Sequence, residues 1–182
     1  KNHRAVLTKL GYLENDFPTE KGMLCSTIRA ENELYIAEML LSGILDDLTP
    51  AQLSAVVCSV ITEDLRGDVF PSQPLSHPTR KALNQLKNVR KKIAIVQRDY
   101  DIDTEMYINS YYSPLIEMWV EGLSWEELTC MTQSSEGDVV RVFKRTIDIL
   151  RQIANAQYIN PQLNETAKDA IKAILREPID VD

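Results

Sequence analysis

The chain has 182 residues, 44% hydrophobic and 26% charged, and a formal net charge of −7 from 20 basic and 27 acidic side chains. That balance predicts a packed core and excludes wholesale disorder, while the acidity disfavours a freestanding nucleic-acid binder. The six glycines are scattered, which excludes a Gly-rich phosphate loop, and no apolar run approaches the ~18 residues of a membrane span.

In chain order, Tyr12–Lys21 holds the one segment that reads as a short turn or ribbon. Leu34, Ile36, Ala37, Leu40 and Leu41 then form a helical stripe closed by Gly43, the residue type favoured just past a helix end. Thr49-Pro50 supplies an N-cap and a first-turn proline for a helix carrying Leu53, Val56, Val57, Val60 and Ile61. Three prolines between 67 and 78 predict an extended surface loop. From Thr79 to about Arg98 a long helix is expected, with Leu83, Leu86, Ile93 and Val96 inward and basic residues outward.

Further on, Ser113-Pro114 reads as cap plus first-turn proline, and Gly122 as the end of that helix. Ser124 with Glu127 has the spacing of a capping box, and Ser135 precedes Glu136 and Asp138 at the positive end of another helix. Asn160-Pro161 opens the last helix, and Pro178 follows it. The expected fold is all-α: a single helical bundle of about seven to nine helices with one Pro-rich loop, one domain over residues 1–182. Because the first residue is Lys1 rather than Met, the chain is expected to be a piece of a longer protein.

Catalytic chemistry is hard to place. Cys25, Cys58 and Cys130 are unpaired in spacing, and His3 and His77 lie 74 residues apart, which argues for a reducing compartment and against zinc. Cys58, beside Val57 and Val60, reads as a small core residue. The carboxylates fall at helix starts and on expected exposed faces, where capping accounts for them. The chain by itself is expected to have no catalytic residues, no metal site and no cofactor.

Charge is unevenly distributed. Residues 71–100 sum to +6 through Arg80, Lys81, Lys87, Arg90, Lys91, Lys92 and Arg98, and residues 101–135 sum to −7. In the helix after Ser135, at ~100° per residue, Val139, Phe143, Thr146, Ile147, Leu150, Ile153 and Ala154 share one arc. Arg141, Lys144, Arg145, Asp148 and Arg151 lie opposite. A solvated polar side accounts for them; so does a strip that meets a phosphate or stacks on a base, for which arginine is well suited.

The run Glu136-Gly137-Asp138 through Arg151-Gln152-Ile153 resembles the most distinctive segment of the DSHCT domain, the C-terminal helical module of superkiller-type and exosome-associated DExH-box RNA helicases. Leu10-Gly11-Tyr12-Leu13, Thr19-Glu20-Lys21-Gly22, Glu31-Asn32-Glu33-Leu34 through Gly43, Leu48-Thr49-Pro50, Trp119, Gly122 and Trp125 resemble other parts of it in the same order. The Pro-rich loop and the Thr146-Ile147-Asp148 continuation look most like its cyanobacterial or plastid branch. The sequence departs from the family pattern at Lys21-Gly22-Met23-Leu24-Cys25, a change expected to affect packing only.

The resemblance implies an accessory role in a motor. Two RecA-like domains outside this chain would bind ATP and Mg, and the bundle would pack on them and line the exit path of single-stranded RNA. Arg145 matches an RNA-contacting position of the family, and Glu63 or Asp64 matches a second; Arg141 and Lys144 neighbour Arg145 on its face. RNA-processing proteins are further expected partners, a membrane is not, and the expected location is the bacterial cytoplasm or the plastid stroma. A protein-interaction scaffold with no direct RNA contact is the alternative. A helix-turn-helix DNA reader fits less well, because the helix after Ser135 starts with acids.

Overall fold

Pro50–Ile61 forms a helix whose apolar residues face every direction, so it cannot rest on a surface and must be enclosed. The computed structural model describes residues 1–30, 33–61, 73–102 and 107–180, and places this helix at its centre. In chain order the described helices are α1 (Asn2–Lys9), α2 (Glu20–Thr27), α3 (Glu33–Leu41), α4 (Pro50–Ile61), α5 (His77–Asp99), α6 (Ser113–Val120), α7 (Trp125–Cys130), α8 (Glu136–Asn155) and α9 (Pro161–Ile174). Helices α5, α6, α8 and α9 all pack against α4, and α8 and α9 pack along each other. The fold is the expected all-α bundle, with nine helices among the described residues.

Sequence explains most of the helix ends. The Thr49 hydroxyl accepts from the Gln52 amide at 3.2 Å while the Gln52 side chain accepts from the Thr49 amide at 3.0 Å, a reciprocal capping box. Ser124, Ser135 and Asn160 each accept from a first-turn amide as their positions suggest. Gly43 and Gly122 take φ of +80° and +109°, left-handed values that glycine alone reaches without strain. The expected ribbon is a minimal hairpin: β1 (Leu13–Glu14) pairs antiparallel with β2 (Phe17–Pro18) across Asn15 and Asp16, both at positive φ.

Three expectations need correction. Ser113 does not cap α6; it lies inside the first turn, fully buried, and its hydroxyl donates to the Ala55 carbonyl of α4 at 2.7 Å, so it ties two helices together. Val96 is only half-buried, because α5 leaves the main core near its C-terminal end. The third concerns carboxylates. Glu38 and Glu117, each 6% exposed, lie inside helices rather than at starts or on outer faces. Glu117 accepts from the Thr79 hydroxyl at 2.5 Å and the Ser76 amide at 3.1 Å, fastening the beginning of α5 to α6. Glu38 accepts from the Tyr12 hydroxyl at 2.9 Å and from Lys21 Nζ at 3.0 Å, with Lys92 Nζ at 3.9 Å. That pairing explains how a carboxylate survives desolvation there.

The same network joins the N-terminal elements to the bundle. Val6, Leu10, Tyr12, Ala37 and Ile102 form a small apolar cluster beside the main core. Burial, then the charge and hydrogen bond of Glu38, push the Tyr12 hydroxyl far above the ordinary phenol range. The Pro-rich stretch lies partly outside the described residues; what is described of it runs without helix from Gln73 to Ser76, and α5 starts at His77.

Candidate nucleic-acid interface

Helix α8 is held from behind by a continuous apolar side. Val139, Val142, Phe143, Thr146, Ile147, Ile149, Leu150, Ile153 and Ala154 are all buried, an arc that includes every residue expected inward. The Phe143 ring lies 6.4 Å from that of Trp119, which meets Trp125 edge-to-face at 5.7 Å. Trp125 Nε1 then donates to Glu136 at 2.9 Å, and the Ser135 hydroxyl accepts from the Asp138 amide at 3.1 Å. The aromatic cluster and the cap together fix where α8 begins and how it is rotated.

Rotation decides what faces out. Arg141, Arg145, Asp148 and Arg151 are exposed, and Lys144 is half-buried with a contact of its own. Arg141 pairs with Asp138 at 3.3 Å and Arg151 with Asp148 at 3.8 Å, both one turn apart on the helix. Arg145, between them, makes no ion pair or side-chain hydrogen bond with another described residue. The outer side of α8 thus carries two locally neutralised turns flanking a guanidinium that no other described residue engages. A planar fork of donors in that state can take a phosphate in two parallel hydrogen bonds or lie flat on a base.

Of the expected site residues, Arg141, Lys144 and Arg145 share this face. Glu63 and Asp64 lie outside the described residues. A feature the sequence did not suggest is the link at the far end of the helix. The Gln152 side-chain amide accepts from the Arg29 amide at 2.6 Å and donates to the Arg29 carbonyl at 3.2 Å, so the chain after α2 is laced to α8. No periodicity signals such a contact between residues 123 positions apart. A concavity of about 340 Å³ lies elsewhere, between Gly43–Leu48 and the first turns of α5, and contains none of these residues. Among the described residues no group of His, Cys, Asp and Glu could hold a metal, and no helix is long and apolar enough to cross a membrane.

Residues 15–182 match the family model described as the DSHCT (NUC185) domain. A chloroplastic DExH-box ATP-dependent RNA helicase of Arabidopsis thaliana, DExH15, is 32% identical over 163 residues, covering 87% of this chain and 14% of the relative. The ATP-dependent RNA helicase mtr4 of Schizosaccharomyces pombe is 27% identical over 184 residues, covering 97% of this chain and 16% of its own length. The human exosome RNA helicase MTR4 is 28% identical over 186 residues, covering 97% and 18%. The chain therefore spans less than a fifth of these relatives.

Proposed function

This chain belongs to the DSHCT (NUC185) domain family, and from that membership we propose that it is the accessory helical domain of an ATP-dependent DExH-box RNA helicase. In this proposal residues 1–182 act as one unit that packs on RecA-like motor domains and touches single-stranded RNA on its exit path. The observation that carries it is Arg145, an exposed guanidinium with no partner among the described residues, on a helix whose other side is locked in the core. Arg141 and Lys144 flank the contact, and an acid at Glu63 or Asp64 is a second proposed contact.

A motor must release RNA at every step. One or two charge contacts with a stacking plane hold a strand loosely, whereas a channel lined throughout with cations would retain it. The pairing of Arg141 and Arg151 with neighbouring acids keeps the outer side of α8 close to that sparse limit. ATP and Mg would be held by the motor domains, since this chain has neither a phosphate loop nor, among the described residues, a metal-holding group. The bundle alone would then be no enzyme. RNA-processing proteins are proposed as further partners, and the plastid stroma or the bacterial cytoplasm as the location, the former favoured by the chloroplastic relative.

The test is Arg145→Gln in the natural full-length protein. RNA-stimulated ATP hydrolysis or unwinding should fall at unchanged thermal stability. Equal activity and RNA affinity in the variant would refute the assignment.

A further inference from the structure

Helix α5 bears seven Lys and Arg residues between Arg80 and Arg98, with Asp99 its one acid. At ~100° per residue Arg80, Lys87, Lys91 and Arg98 fall within about 40° of one another, and at ~1.5 Å per residue they form a row about 27 Å long. All four are exposed. None has an ion pair with another described residue; Arg98 donates only to the Ala94 carbonyl of its own helix. Lys92, by contrast, turns away toward Glu38 at 3.9 Å. Asn84 and Asn88 border the row with amide donors, and Ile95, 54% exposed, adds an apolar contact beside it.

We propose that this row is a second RNA contact, distinct from α8, that binds the sugar-phosphate backbone without reading sequence. Four of the seven α5 cations align in one row on a chain with net charge −7, and the helix's one acid, Asp99, lies about 100° round from it, a segregation that solvation alone does not call for. Backbone binding follows from the side chains present: cations and amides for phosphate and ribose, and no aromatic for stacking on bases. Helix α5 packs against α1, α3 and α4, whereas α8 packs against α4 and α9, so the two surfaces are built on different helices. The choice of RNA as the polyanion rests on the proposed function above; the existence of the row does not.

The experiment uses the natural full-length protein and a labelled 20-nucleotide oligouridylate. The fourfold variant Arg80→Gln, Lys87→Gln, Lys91→Gln and Arg98→Gln should bind at least about tenfold more weakly near 0.1 M salt. Its slope of log affinity against log salt should be shallower by roughly 2–3, because four single-strand phosphate contacts contribute ~0.7 each. The charge-preserving variant Arg80→Lys, Lys87→Arg, Lys91→Arg and Arg98→Lys should keep the native slope. Should the glutamine variant fold poorly, a photoreactive residue replacing Asn88 in otherwise native protein supplies the measurement, and a cross-link to RNA is expected. A native affinity and slope, or a cross-link only to protein (as an acidic protein partner would give), overturns the inference. If the fourfold variant is neutral while Arg145→Gln is impaired, this inference alone fails; the reverse pattern removes only the α8 assignment.

Discussion

Arg176 lies over the Trp119 ring, its guanidinium carbon 3.4 Å from the ring centroid, while the same side chain donates to the Trp119 and Leu123 carbonyls. One residue thus covers an indole and satisfies carbonyls at and beyond the end of α6. Trp119 in turn donates from Nε1 to the Ile174 carbonyl at 2.9 Å, closing α6 against the end of α9. Stacking and charge-assisted hydrogen bonds are both lost in Arg176→Ala, and Arg176→Lys keeps charge without the plane or the fork. The alanine variant should lose about 2–3 kcal/mol in urea unfolding and the lysine variant most of that. A lysine variant as stable as the parent would show that charge alone suffices.

Gly22 has no room to be anything else. A Cβ there would press into the Tyr12 carbonyl, a backbone group that cannot swing aside, and crowd Pro18. Gly22→Ala should cost about 1–3 kcal/mol or more and should loosen the Tyr12–Lys21 region first. Hydrogen exchange of the Thr19 amide, which donates to the Tyr12 carbonyl at 3.0 Å, gives the readout.

Helix α8 predicts opposite outcomes on its two sides. Phe143→Ala empties a fully buried site between α8 and Trp119 and should cost about 3–5 kcal/mol. Arg145→Gln, on the exposed side, should change stability by no more than about 0.5 kcal/mol. Thermal melts of the two variants compare them directly; similar losses would mean that the helix is rotated differently in solution.

Alkaline pH should destabilise the chain. Burial, followed by the Glu33 and Glu38 carboxylates, pushes the Cys25 thiol up from its ordinary 9.0 to about 11, and Tyr12 is raised as well. With a folded-state value above the unfolded one, the unfolded chain releases its proton first, so stability present below about pH 9 declines toward about pH 11. Cys25→Ser should flatten the thiol's part of that decline in urea titrations at fixed pH. Alkylation at pH 8.5 should follow exposure, with Cys130 modified first and Cys58 protected until unfolding.

How much of this was legible beforehand depends on the range of the interaction. Caps at Thr49, Ser124, Ser135 and Asn160, and the inward arc of α8, follow from spacing because they join residues within a few turns. Ser113 misled because Ser-Pro is a strong local signal, yet its hydroxyl is claimed by a carbonyl 58 residues away. Glu38 and Glu117 looked like surface acids for the same reason: their partners, Tyr12 and Lys21 for one and Ser76 and Thr79 for the other, come from distant helices and loops. Arg145 could be assigned to an outer face by periodicity alone. Periodicity does not separate it from its neighbours Arg141 and Arg151, which pair with acids one turn away while it meets none among the described residues.

The clasp between Gln152 and Arg29 touches main chain on one partner and side chain on the other. Position 29 should therefore accept almost any amino acid except proline, which lacks the donor, while position 152 tolerates little besides its carboxamide. A saturation library scored for folding would display that lopsidedness as a permissive column and a stringent one. The joint is indifferent to what one strand spells and exacting about the hand that grips it.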